Sequence, residues 1–142
     1  MKDAELEALG EVTEALYRAE VVRMQHLVTQ ENRLREALAR LDAKQAATRA
    51  LPDTELDGLR QIGGDMIWQG WMGARKAELQ SELARVLGRK GQMIGKLRRA
   101  FGKAQAVDRM TAAARAQAVS NAQARDEDMR AHFAVLDRWM HG

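Results

Sequence analysis

The residues able to do chemistry are few and scattered. Three histidines, His26, His132 and His141, share no metal-ligand spacing. Ser81 and Ser120 are the only serines, and neither sits in a nucleophile elbow or near a plausible base. No Walker-type phosphate loop occurs among the glycines, and Asp126-Glu127-Asp128 reads most simply as a solvated helix face. With no cysteine anywhere, disulfides and thiolate metal sites are excluded, and a reducing compartment is the natural setting. These observations predict a protein that is not an enzyme and needs no cofactor or metal.

Three other patterns point to binding. Charge is segregated: residues 1–20 hold six acids (Asp3, Glu5, Glu7, Glu11, Glu14, Glu20) against Lys2 and Arg18. Eight bases (Arg85, Arg89, Lys90, Lys96, Arg98, Arg99, Lys103, Arg109) then stand against Asp108 alone. Either the two blocks neutralise each other within the chain, or the bases form a belt for an acidic protein surface or phosphates. Nucleic acid is a weaker candidate, because Phe101 is the one aromatic among those bases and the net charge is only +3. The second pattern is Gly88, Gly95 and Gly102, spaced by seven, which would give a helix a smooth outer face. The third is Met66-Ile67-Trp68-Gln69-Gly70-Trp71-Met72, with two of the three tryptophans within four residues. Trp68 and Trp71 fall on neighbouring positions of a helical face, one to plug the end of a core and the other to dock a partner. Trp139 and Met140 repeat that chemistry near the C-terminus.

All of these must be positioned by helices. Charged residues make up 30% of the 142, aromatics only 4%, and Pro52 is the single proline. Proline removes a backbone donor and drives Leu51 out of the α region, so a turn is expected there. The prediction is an all-α protein: two long helices forming an elongated antiparallel coiled-coil hairpin, the second longer than the first. The whole of 1–142 reads as one domain, with helix one over about 4–50, a loose tip over about 51–64 and helix two over about 65–140. Asp53 or Thr54 would cap helix two.

The seams follow from hydrophobic spacing. Met24, Leu27, Leu34, Leu38 and Leu41 step by three and four, interrupted by Glu31, and Leu6, Leu9, Val12 and Leu16 extend the stripe with a phase drift near Ala19 and Glu20. In helix two, Leu79, Leu83, Val86, Met93, Leu97, Ala100, Ala104 and Val107 form a cleaner heptad with Lys90 at the one off-type position. Met129, Phe133, Leu136 and Met140 resume a stripe beyond the reach of helix one. No apolar run approaches the ~20 residues of a membrane span. The acidic first residues lack an apolar secretory core, so no signal peptide is expected and the protein reads as cytoplasmic.

Trp68-Gln69-Gly70-Trp71-Met72, Ala74-Arg75, Glu78-Leu79, Leu97, Ala100-Phe101, Lys103 and Val107 together resemble the second helix of the FliJ family. These are the small coiled-coil stalks of the flagellar type III export ATPase. The resemblance covers about 65–110, and YscO-like stalks of virulence secretion systems share the same architecture. The glycines of helix two and the alanine-rich C-terminal segment depart from the family pattern. The resemblance implies a shaft lodged in a hexameric export ATPase, promoting its assembly and activity and reaching a membrane export gate. It implies a cytoplasmic protein held peripherally at the inner membrane through its partners. Trp68, Trp71, Met72 and Arg75 become the expected gate-facing patch, and Leu9, Leu16, Arg130, Phe133 and Trp139 the expected ring contacts. An alternative role is an export escort that binds secreted substrates or their chaperones through an exposed amphipathic helix.

Overall fold

The computed structural model describes residues 2–51, Gly58 and 63–141. Two helices account for almost all of them: α1, Asp3–Arg49, of 47 residues, and α2, Gly64–His141, of 78. The chain is a helical hairpin whose second helix is the longer, and both helices begin and end within a residue of their expected bounds. Asp3 and Glu5 lie in the first turn of α1 and Arg49 in its last, favourable placements against the helix dipole. Ahead of α2, Gly63 takes a φ of 73°, a left-handed conformation that glycine reaches without a Cβ clash. The expected turn at Pro52 and the caps Asp53 and Thr54 lie outside the described residues.

Two compact units divide the chain. The first is Ala19–Leu97, and the second joins the chain before Ala19 to the chain from Arg98 onward. In the first, Leu41, Met72 and Leu79 are buried together, with Leu34, Ala37, Leu38 and Trp68 packed against them. The antiparallel register is read from two ion pairs across the helices, Lys76 with Asp42 at 3.3 Å and Lys90 with Glu31 at 2.8 Å. In the second unit, Leu6, Thr13, Ala104 and Val107 are buried. Tyr17 packs on Phe101 with ring centroids 5.4 Å apart, and a Cβ on Gly10 would stand 3.6 Å from Val107.

Burial corrects the stripe expected for the start of α1. The inward positions are Leu6, Gly10, Thr13 and Tyr17, while Leu9, Val12 and Leu16 are exposed. Leu6, Gly10, Thr13, Tyr17, Glu20, Met24, Leu27, Glu31, Leu34, Leu38 and Leu41 form an unbroken four-three heptad, so there is no phase drift near Glu20. The reason is geometric. Shifting the seam by one residue means rotating the helix by about 100°. The better-buried leucines downstream hold the phase, and two small residues and a tyrosine then face Ala104, Val107 and Phe101. Thr13 is satisfied within its own helix, its hydroxyl lying 3.0 Å from the Leu9 carbonyl oxygen and 3.2 Å from that of Gly10. The heptad of α2 is observed as expected, through Leu79, Leu83, Val86, Lys90, Met93, Leu97, Ala100, Ala104 and Val107, and it extends one heptad further back, to Met72.

Candidate interaction surfaces

The first turns of α2 carry an aromatic surface. Trp68 and Trp71 are stacked, with centroids 5.6 Å apart and planes at 23°. Trp68 is half-buried against the Leu41–Met72–Leu79 core, whereas Trp71 is 53% exposed. One indole plugs and the other faces outward, as the spacing of three leads one to expect. Met72 corrects the expected patch: at 3% exposure it belongs to the core and offers nothing to a partner. Ile67, four residues before Trp71 on the same helix face, takes its place beside the exposed Met66. That i, i+4 spacing was the signal in the sequence. Gly70 and Gly73 have no neighbour within 4 Å of a would-be Cβ. Arg75, one turn further on, is exposed and pairs with Glu78 at 3.1 Å.

Cations collect beside the seam of the same unit. Arg33, Arg85 and Arg89 line an open groove of about 320 Å³ with Gln30, Leu34, Glu82 and Val86. A second groove, about 330 Å³, is lined by Arg23, His26, Arg89, Lys96, Gln30, Gln92, Leu27 and Met93. Gln30 and Arg89 border both. Among the described residues Arg33, Arg85, Arg89 and Lys96 form no ion pair, while Arg23 is held by Glu20 at 2.8 Å. Three of the expected belt residues, Arg85, Arg89 and Lys96, therefore share one basic flank with bases from α1. Arg23, His26 and Arg33 are absent from the expected belt because they are spread among polar residues of the other helix, and only the pairing brings them together. Such grooves suit carboxylates or phosphates presented by a partner.

The remaining belt residues, Arg98, Arg99, Lys103 and Arg109, lie in the other unit and are exposed. Among the described residues no ion pair joins them to Asp3, Glu5, Glu7, Glu11 or Glu14. Glu14 instead pairs along its own helix with Arg18 at 3.2 Å. Of the expected glycine line, Gly88 and Gly102 are exposed with open space where a Cβ would stand, whereas Gly95 between them is half-buried.

The expected ring contacts are all exposed: Leu9, Leu16, Arg130, Phe133 and Trp139. Every residue from Arg115 to His141 is exposed, so this stretch of α2 has no covering helix among the described residues. Its ion pairs run along the helix itself, Arg130 with Asp126 at 3.0 Å and His141 with Asp137 at 3.3 Å. Among the described residues no cluster of three or more acidic or histidine side chains could hold a metal, and no helix is long and apolar enough to cross a membrane. No protein family, curated protein or solved structure matches the chain.

Proposed function

We propose that this chain is a coiled-coil stalk, a coupling protein of a type III protein export apparatus of the flagellar kind. The observation that carries the reading is a helical hairpin whose long second helix presents two separate apolar surfaces. One is the Trp71 patch at its start; the other is the bare stripe at its end. A binding protein with two such surfaces can join two partners, which is what a stalk between an ATPase ring and a gate must do. The likeness of 65–110 to the FliJ second helix adds the identity of those partners. In this reading Trp71 and Arg75 face the gate over an anchoring Trp68, without Met72. Leu9, Leu16, Arg130, Phe133 and Trp139 engage the hexameric ATPase. The protein acts by binding, without catalysis or cofactor, in the cytoplasm, and meets the inner membrane only through its partners. An asymmetric hairpin contacts the six subunits of a ring unequally. Contacts that differ among nucleotide states couple ATP turnover to stalk position.

The test is ATP hydrolysis by a flagellar export ATPase with and without the chain, with the ATPase sized by light scattering. Stimulation with a shift to hexamer is expected, unaffected by Trp71→Ala, which weakens gate binding instead. No change in rate or assembly overturns the stalk reading. The uncovered run 115–141 then favours the second reading, an escort that holds export chaperones or substrates on that helix. That reading predicts capture of a purified export chaperone by the full chain and its loss on Phe133→Asp.

A further inference from the structure

The last turns of α2 carry a heptad stripe with nothing to pack on. Met129, Phe133, Leu136 and Met140 follow four-three-four spacing on one face, and all four are exposed. The charges flanking the stripe select its occupant. We infer that this segment pairs antiparallel with the same segment of a second copy.

In a two-stranded antiparallel coil, each position of one type packs beside the other type from the facing helix. Phe133 then meets Leu136 of the second copy, and Met129 meets its Met140. Arg130 and Asp137 occupy equivalent flanking positions, three residues before Phe133 and one after Leu136. In this register Arg130 of each copy faces Asp137 of the other, which gives two opposite-charge pairs related by a two-fold axis. The surface is self-complementary, as an isologous dimer requires. The parallel alternative would set Asp126, seven residues before Phe133 and so on the stripe, against the Asp126 of the other copy, and like charges across a seam oppose pairing. Within one chain Arg130 and Asp137 are engaged only by exposed pairs along the helix, to Asp126 at 3.0 Å and to His141 at 3.3 Å. Such pairs are weak, so exchanging them for pairs between copies costs little.

Residues 128–141 provide about 21 Å of paired helix. That is a short seam, smaller than the interfaces of permanent dimers, so the association is reversible and concentration-dependent. It does not rest on the stalk reading. Arg130, Phe133 and Trp139 are assigned to the ring there, so ring binding and self-pairing would exclude each other.

Sedimentation of the full chain from about 10 µM to about 1 mM, with no partner present, tests the inference. The mass is expected to rise from 15.9 kDa toward twice that value, and Phe133→Asp to hold it at the monomer. Arg130→Asp alone gives Asp against Asp twice, and Asp137→Arg alone gives Arg against Arg twice. Each variant is expected to remain monomeric, with helicity by circular dichroism reporting that it is folded. An equimolar mixture of the two restores both opposite pairs and is expected to dimerise. A wild-type chain that stays monomeric throughout overturns the inference. So does a dimer indifferent to either charge reversal, or a mixture that fails to associate.

Discussion

Lys90 donates a hydrogen bond to Glu31 at 2.8 Å, so the glutamate that interrupts the Met24–Leu41 stripe meets the lysine that interrupts the Leu79–Val107 stripe. Arg35 donates a second bond, from Nε to the other carboxylate oxygen at 3.0 Å, with its Nη2 at 2.9 Å. The Glu31 side chain is 11% exposed and that of Lys90 31%, so the lysine reaches in along the edge of the seam with its stem on apolar surface. Two apparent defects in the sequence are one feature of the structure. A polar pair at a core position of a coiled coil holds register, because sliding the helices by a turn strands both charges against apolar neighbours.

Acid should weaken that pair. Bonds from Lys90 and Arg35 hold the Glu31 carboxyl below its usual 4.5. A carboxyl with a depressed folded-state value contributes stability in full above its ordinary value and loses it as pH falls through the lower folded value. Thermal midpoints of wild type and Glu31→Gln should therefore differ most near neutrality and converge once Glu31 is protonated. A gap that does not narrow on acidification rules out this role for the charge.

Replacing both partners should behave differently from replacing one. Glu31→Leu alone leaves Lys90 facing an apolar seam and lowers the melting midpoint. Glu31→Leu with Lys90→Leu keeps or raises it, because the cost of drying two charges disappears. The double variant should also pair in more than one register, visible as additional cross-strand distances between spin labels placed on the two helices.

Glu20 stands in the same heptad phase as Glu31 but has a less complete set of partners. One carboxylate oxygen takes Arg23 at 2.8 Å, while the other is buried with no hydrogen-bond partner among the described residues. Glu20→Leu removes an unsatisfied polar atom and adds apolar burial, so urea unfolding should show a gain of about 1–2 kcal/mol. A loss would mean that Glu20 has a partner the helices do not supply.

Met72 and Trp71 are sequence neighbours with opposite duties. Met72→Ala opens a cavity in the cluster with Leu41 and Leu79 and should cost about 2–4 kcal/mol. Trp71→Ala removes a half-exposed ring stacked on Trp68 and should cost under about 1 kcal/mol. Chemical denaturation of both separates core from docking surface. Equal losses would place Trp71 in the core as well.

The outer glycines offer a clean probe of purpose. A Cβ at Gly88 or Gly102 meets nothing within 4 Å, so each change to alanine should stabilise α2 by about 1 kcal/mol. Gly10→Ala should also stabilise, since its Cβ would make an ordinary contact with Val107 at 3.6 Å. If the Gly88 and Gly102 variants gain stability but lose stimulation of an export ATPase, their bare face is a contact surface. Gain without functional loss makes them incidental.

By itself the sequence determined the helices, their bounds and the seam of α2. A heptad of leucine, valine and methionine is a local pattern, and nothing in the helix competes with it. It also foretold that one of Trp68 and Trp71 would plug while the other faced outward, without saying which, and the uncovered stripe from Met129 to Met140. Only the pairing of the helices decided the rest. Leu9, Val12 and Leu16 look like core by hydrophobicity, yet they lie one position off a phase held by Leu27, Leu34 and Leu41. Gly10, Thr13 and Tyr17 take the inward positions in their place, Thr13 buried and the other two half-buried, because a regular helix cannot turn by one residue part-way along to favour its own leucines. Met72 moved from surface to core for the same reason, and Arg33 joined Arg85 and Arg89 because they come from different helices. A sequence displays the period of each helix, but which residues oppose one another is a property of two helices together.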